Sequence, residues 1–526
     1  MNPIELAVVL CAVIAGLAIA SRRVWVPGPV LLVLAGAALS FIPGIPRIRI
    51  PPELAFAMFF PPLLYPAALF TSWRDFRANL RPILLLAVGL VGATSIAVAW
   101  IGHHFISGLP LAAGFVLGAI IAPPDAVAVT AIANRIRVPG RITVILEGES
   151  LVNDATALVI YRFAVAAVIG GSFSPAAVSG LFLWVSAGGI AVGLAWGWLM
   201  ARIQSTLDDP PVQITLSLMN PFITYLLAEH CGFSGVLAVV TTGLYIGWRV
   251  PEIIGASSRL QLFTVWKMVT FLLEGFLFTF IGLELPEIIQ TISGRWLVVA
   301  GHVAVIVLTV TLIRIAWVII ATYVPRFLFP PLRRRDPYPE WRHVALIAWT
   351  GMRGADSLAA AIALPFALPS GAPFPGREEI LIITFCVIVA TLVLQGGTLP
   401  VVIRWLGIED DESEAQEEHA ARTRANRAAL AYLDQTEVRK RYEADVIERL
   451  RVEYHDRLRQ LEVCADPDLD CPQWASLPFE QIQRETLAIE RRTIIALRNE
   501  GVINDDALRN IQRDLDLADA RLDEKL

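Results

Sequence analysis

Blocks of about 20 apolar residues recur along most of this 526-residue chain, and they restrict its fold more than any other feature. A run of that length wound as a helix matches the hydrocarbon thickness of a bilayer. Inside lipid every backbone N–H and C=O must be satisfied within the segment or in a closed barrel, so runs of this length read as helices. Composition agrees: 56% of the residues are hydrophobic and 17% are charged, where a soluble chain carries about a quarter. The expected fold is therefore an all-α polytopic membrane protein of about 13 transmembrane helices. The expected spans cover residues 4–21, 24–42, 53–71, 82–101, 110–131, 142–168, 176–201, 212–228, 233–248, 260–285, 296–324, 343–366 and 379–403. The start, from Met1 to Ala20, lacks a basic n-region and a small-residue cleavage pattern and reads as a retained first span.

Charge divides the chain near residue 409. From Glu409 onward there are 29 acidic and 18 basic residues, a net −11 against −5 for the whole chain, so the apolar part carries +6. Residues 1–408 are expected to be the lipid-embedded domain and 409–526 an acidic helical domain in water. Arginines in the connections set orientation: 17 follow the odd-numbered spans, while the opposite side holds Arg47, Arg49, Arg295 and Arg377. This places the tail in the cytoplasm and the N-terminus outside a cell (inner) membrane. Within the tail, 414–463 reads as one amphipathic helix, 464–478 as a break rich in Asp and Pro, and 479–499 and the stretch after Asn504 as further helices. A docking or regulatory role fits it, with solubilising bulk as the plainer alternative.

If span 7 is a connector, spans 1–6 and 8–13 form an inverted repeat of six plus six. The fifth span of each half is interrupted. The first contains IIAPPDAVAV, where Pro123 and Pro124 break the helix beside Asp125; the second contains WTGMRGADS, with Gly351, Arg353, Gly354 and Asp356. Unwound backbone at membrane depth is tolerated only where it lines a cavity or is buried in protein, so paired interruptions point to a midplane site. Small-residue spacings at Gly114 and Gly118, at Gly189, Gly193 and Gly197, and at Gly243 and Gly247 fit close helix packing or a dimer face, with packing inside the chain the more ordinary reading.

The sixth span opens with GESLVND, Gly148 to Asp154, and an ionisable group at bilayer depth costs at least a few kcal/mol, so such groups are read as functional. Ser150 and Asp154 stand four residues apart with Asn153 beside them, so three oxygen-bearing side chains can converge on one face. Glu149 points well away from Asp154 and needs another partner. Arg353 is the available cation, and a Glu149–Arg353 brace would leave Asp154 to carry either a proton or a cation. Asp125 and Asp356, at the interruptions, can bind an ion, cap a half-helix or solvate a funnel. Glu147, seven residues before Asp154, can line an entrance. Arg162 or Lys267 is expected to compensate Glu274, and His103 and His104 are placed in an external loop.

With these motifs in view, GESLVNDATALVIYRF resembles the signature of the monovalent cation:proton antiporter family, the branch that includes bacterial and animal sodium/proton exchangers. PPDAVAV, WTGMRGADSLAAA and FFPPLLYPAALFTSWRDF resemble its broken-helix, glycine-arginine-glycine and third-span segments, and the resemblance covers residues 1–405 in order. It implies a core domain moving against a dimerisation domain, hence a homodimer. It also implies Asp154 as ion and proton carrier, Asn153, Ser150 and Asp125 in support, and Glu149 with Arg353 as a structural ion pair. The chain departs from the pattern at Pro66, where many relatives carry an acidic residue.

The expected activity is secondary antiport of Na⁺, with Li⁺ or K⁺ as alternatives, against H⁺, one charge for one charge. The substrates are then monovalent cations and protons, in a lipid bilayer, with no cofactor and no nucleic acid. The rivals are a cation channel and a membrane ion or pH sensor with the tail as output. No serine–histidine, metal-binding or phosphate-cradling constellation in the spans supports an enzyme. The five cysteines, including Cys464 and Cys471, form no convincing metal or disulfide framework.

Overall fold

The computed structural model describes residues 3–21, 28–42, 52–106, 108–125, 138–170, 175–291, 296–408, 413–463 and 486–494, with a few further positions up to 515. The chain forms two compact units, Met1–Asp410 and Asp411–Leu526.

Among the described residues the regular structure of the first unit is helical, apart from one isolated bridge between Ala367 and Pro373. Its helices are α1 (Pro3–Ser21), α2 (Gly28–Leu39), α3 (Pro52–Phe70), α4 (Trp73–Ala78), α5 (Leu80–Phe105), α6 (Leu111–Ile121), α7 (Gly140–Gly170) and α8 (Pro175–Gln204). They continue with α9 (Pro210–His230), α10 (Gly235–Ile253), α11 (Ala256–Thr291), α12 (Trp296–Leu328), α13 (Pro330–Arg335), α14 (Trp341–Trp349), α15 (Ala355–Ile362) and α16 (Arg377–Leu406). Six stretches are long and apolar enough to cross a membrane: Leu80–Phe105, Gly140–Gly170, Gly180–Gln204, Ala256–Phe280, Trp296–Leu328 and Arg377–Leu406. The protein is an integral membrane protein built of helices. His103 and His104 lie in the last turn of α5 rather than in a loop, their Nδ1 atoms 2.9 Å from Leu109 O and 2.8 Å from Trp100 O.

Packing sorts these helices into two groups. One contains α1, α2, α3 and α8–α11; the other contains α5, α6, α7, α12 and α14–α16. Between the groups, α15 packs on α3 and α11, and α7 on α3 and α10. The small-residue stripes are spent inside the chain. A β-carbon at Gly118 would come within 2.6 Å of Ser95 O on α5, and one at Gly193 within 2.5 Å of Ala238 O on α10. Gly247 is pressed against the Leu69 backbone of α3 in the same way. Lipid is as apolar as leucine, so helices in it gain by close backbone approach, which glycine permits.

Two π-turns interrupt regular helix, Leu85–Leu90 within α5 and Leu392–Gly396 within α16. At the first, Trp317 Nε1 of α12 donates to Leu85 O at 2.9 Å, and the indole occupies the space where Gly89 has no side chain. The second follows Thr391, whose hydroxyl takes part in the site described below.

In the second unit the stretch expected as one helix over 414–463 is three: α17 (Ser413–Leu433), α18 (Thr436–Arg441) and α19 (Ala444–Val463). The chain folds back, α17 packs on α19, and Leu433, Ile447 and Tyr454 come together. An amphipathic stripe with no partner buries itself by turning on itself. Asp434, just past α17, accepts from Arg439 at 2.7 Å and lies 3.7 Å from Arg451, which fixes the turn. The break expected over 464–478 lies outside the described residues, as does nearly all of the stretch after Asn504.

Candidate functional site

Both interruptions read from the sequence fall where helix stops in the structure, as far as it is described. Helix α6 ends at Ile121, and residues 123–125 continue without helical structure, since neither Pro123 nor Pro124 can donate a backbone hydrogen bond. Residues 126–137, the rest of that expected span, lie outside the described residues. Helix α14 ends at Trp349, residues 350–354 run non-helically, and α15 begins at Ala355 with Asp356 in its first turn. The two non-helical segments touch: Asp125 N donates to Met352 O at 2.8 Å. Gly354 is required by this approach, because a β-carbon there would collide with the Asp125 carboxylate. Arg353 seals the junction. Its Nε donates to Ile121 O at 2.6 Å, its Nη1 to Gly351 O, and its backbone N to Thr391 Oγ1 at 3.2 Å.

Helix α7 passes alongside and brings Asp154 to the junction. Asp154 is 5% exposed and shares a cavity wall with Asp356, the two carboxyls act electrostatically on each other, and Asp125 acts on both. Asp154 and Asp356 line one cavity of about 10 Å³, with Phe60 of α3, Pro123, Tyr161 and Ser357 among its walls. That is room for a single water-sized body. Asn153 is fully buried and donates from Nδ2 to Pro124 O at 3.2 Å, clamping the first interruption to α7. Three buried oxygens here have no hydrogen-bond partner: Asn153 Oδ1, Asp356 Oδ1 and Ser357 Oγ. Leaving such atoms unmatched costs roughly 1–3 kcal/mol each, so a cluster of them marks a place for a ligand or a proton. Glu274 of α11 is within electrostatic reach of Asp125 and Asp356. Ser150 and Glu147 are half-buried on α7, and the cavity wall is made by Asp154 and Asp356 rather than by them.

Glu149 has a different partner from the one expected. It is 1% exposed and pairs bidentately with Arg314 of α12: Nη1 donates to Oε1 at 2.7 Å and Nη2 to Oε2 at 3.1 Å. Arg314 Nε also donates to Ile347 O at 3.2 Å, so one guanidinium joins α7, α12 and α14. No ion pair forms between Glu149 and Arg353, whose donors go to carbonyls at the junction. The sequence carried a signal for Arg314 that composition obscured: a charge in the middle of Trp296–Leu328, the most apolar of the six long stretches, whose other arginine, Arg326, lies in its last turn. Arg162, one of the two cations offered for Glu274, has a different partner. Arg162 donates to Glu229 Oε2 at 2.9 Å and to Tyr225 Oη at 3.2 Å, joining α7 to α9 of the other helix group. Glu229 also accepts from Gly235 N at the start of α10, at 3.0 Å.

A membrane-embedded bundle with two touching helix interruptions and a buried carboxylate between them has the architecture of a secondary transporter. Comparison with known proteins agrees. The family model described as "Sodium/hydrogen exchanger, transmembrane" matches residues 9–405, and the chain belongs to that family. It is 36% identical over 528 residues to the uncharacterized Na⁺/H⁺ exchanger Rv2287 of Mycobacterium tuberculosis, covering 98% of this chain and 96% of that one. It is 34% identical over 407 residues to the sodium, potassium, lithium and rubidium/H⁺ antiporter of Bacillus subtilis, covering 75% of this chain and 60% of that one. The sodium proton antiporter MjNhaP1 of Methanocaldococcus jannaschii shares the fold, with a TM-score of 0.58 at 19% identity over 77% of this chain and 98% of that one.

Proposed function

We propose that the protein exchanges a monovalent cation for H⁺ across the cell membrane by alternating access, with Na⁺ as first substrate and Li⁺ or K⁺ as alternatives. The observation that carries this is the single-occupant cavity in which Asp154 faces Asp356. Two carboxylates sharing one small cavity, out of water, repel unless a proton or a cation lies between them. The space holds one body, so the two occupants exclude each other, and that exclusion is what couples the two fluxes. The unmatched oxygens of Asp356 and Ser357 in the cavity wall suit a hard monovalent cation, which takes oxygen ligands, and Asn153, next to Asp154 in the chain, carries a further unmatched oxygen. Asp125 contributes charge at the same junction, and Glu147 lies on the approach along α7.

The two helix groups give the motion its parts. The group holding α5–α7, α12 and α14–α16 carries the carboxylates, and the Glu149–Arg314 pair and Arg353 make it rigid. It moves against the group of α1–α3 and α8–α11, through which a homodimer forms. In this reading the spans number thirteen in a six-plus-six inverted repeat, the N-terminus lies outside and the tail inside. The neighbour of Asp154 is the neutral Asn153, which favours one charge for one charge. Proteoliposomes loaded with a ΔpH-sensitive dye, challenged with Na⁺, Li⁺ and K⁺ in turn, test the reading. Wild-type protein dissipates ΔpH and Asp154→Asn does not; wild-type activity in Asp154→Asn would overturn the site. A flux that follows an imposed voltage would overturn the electroneutral stoichiometry.

A further inference from the structure

The corner where α12 turns into α13 lies outside the candidate site. Helix α12 has 33 residues, about 50 Å of helix, which exceeds the roughly 30 Å hydrocarbon core. At least one of its ends therefore passes beyond the hydrocarbon core, and the aromatic and basic residues at its C-terminal end suit headgroup depth. There Phe327, Leu328 and Phe329 are exposed, and the next helix, PPLRRR, presents Arg333, Arg334 and Arg335 to the surface. The rings of Tyr323 and Tyr338 stack with centroids 5.8 Å apart and, with Val324 and Phe327, line an open groove of about 470 Å³. The guanidinium of Arg333 sits 5.2 Å from the centre of the Tyr338 ring, at the rim of that groove.

The charge at this corner is unbalanced. Asp336 is already shared by Arg326 at 2.7 Å, Arg141 at 3.1 Å and Arg81 at 3.5 Å. Among the described residues none of Arg333, Arg334 and Arg335 makes an ion pair with a carboxylate. We propose that this corner binds an anionic phospholipid, with its phosphate on Arg333–Arg335 and an acyl chain along Tyr323, Val324 and Phe327. A soluble anion would use the arginines and leave the groove empty. A neutral lipid would fill the groove and leave the arginines unmatched. A lipid that is both apolar and anionic satisfies both halves, and each basic group near an anionic headgroup contributes about fivefold in affinity.

The test uses the full chain in neutral detergent, its unfolding followed by tryptophan fluorescence, titrated with phosphatidylglycerol or with phosphatidylcholine of matched chains. Wild type should be stabilised at a phosphatidylglycerol concentration at least tenfold below that needed of phosphatidylcholine. Arg333→Gln/Arg334→Gln/Arg335→Gln should lose that preference while responding to phosphatidylcholine like wild type. On wild type itself, about 0.5 M salt should shrink the preference, because exposed charges are screened beyond a few ångströms. Equal response of wild type to both lipids, a preference untouched by salt, or equal stabilisation by soluble glycerol phosphate would each overturn the proposal. So would a triple variant that folds and keeps the preference.

Discussion

At the scale of single residues, the Glu149–Arg314 pair makes the sharpest prediction. Both members are 1% exposed, and removing one partner of such a pair leaves a bare buried charge, at a cost of about 3–5 kcal/mol. Glu149→Gln or Arg314→Met should therefore lower the unfolding temperature strongly. The double variant Glu149→Leu/Arg314→Met should recover most of the loss, and thermal unfolding in detergent reads both. Asp154 and Asp356 should behave otherwise. Asp154→Asn is expected to abolish cation-driven ΔpH dissipation without loss of unfolding temperature, and Asp356→Asn to raise the cation concentration for half-maximal exchange several-fold. Asp154 and Glu149 were legible in the sequence because a carboxylate in an apolar run has few innocent explanations. The partner of Glu149 was not, since helical spacing gives the direction of a side chain within its own helix and says nothing about which helix faces it.

At the scale of elements, the two interruptions depend on Gly354. Gly354→Ala puts a methyl group where the Asp125 carboxylate lies, and the expected outcome is loss of exchange with protein still inserted in the membrane, checked by transport and by membrane yield. The bridge from Arg162 to Glu229 joins helices of the two groups, so movement between the groups must strain or break it. Arg162→Gln should change the turnover rate several-fold at unchanged cation affinity, and charge reversal at both ends, Arg162→Glu with Glu229→Arg, should restore much of the wild-type rate. Unaltered kinetics in Arg162→Gln would count against motion at this contact. The helix stops at Pro123–Pro124 and at Gly351–Gly354 could be read from residue chemistry. The π-turns of α5 and α16 could not, because nothing in LLAVGL or LVLQG distinguishes an i+5 bond from an i+4 bond until Trp317 or Thr391 claims the local geometry.

At the scale of the whole molecule, the chain divides near residue 410 into an apolar unit holding every residue of the candidate site and an acidic helical unit holding none. Deleting 411–526 should leave cation-dependent ΔpH dissipation measurable in proteoliposomes; complete loss in a folded, inserted protein would give the tail an obligatory part. Within that unit the hydrogen bond from Arg439 holds the carboxyl of Asp434 below its ordinary range. A depressed carboxylate contributes whatever it does at pH values above the unfolded value of about 4, and loses it only on acidification below that. Asp434→Ala should accordingly leave the pH profile of exchange between about pH 6 and 9 unchanged. The change in charge balance along the sequence falls near the residue at which the two units divide. The single long helix expected over 414–463 failed because a stripe of apolar residues does not say whether its cover comes from another chain or from the same one folded back.

The knot at Asp336 has a consequence in time. Arg141 precedes Asp336 by 195 residues, and Arg81 comes earlier still. At about 5–20 residues per second of synthesis, their counter-charge is made roughly ten to forty seconds after Arg141. Throughout that interval both arginines lack this counter-charge. Asp336 then arrives and gathers three helix ends, so this fastening of the finished bundle closes only after all three of its arginines have been made.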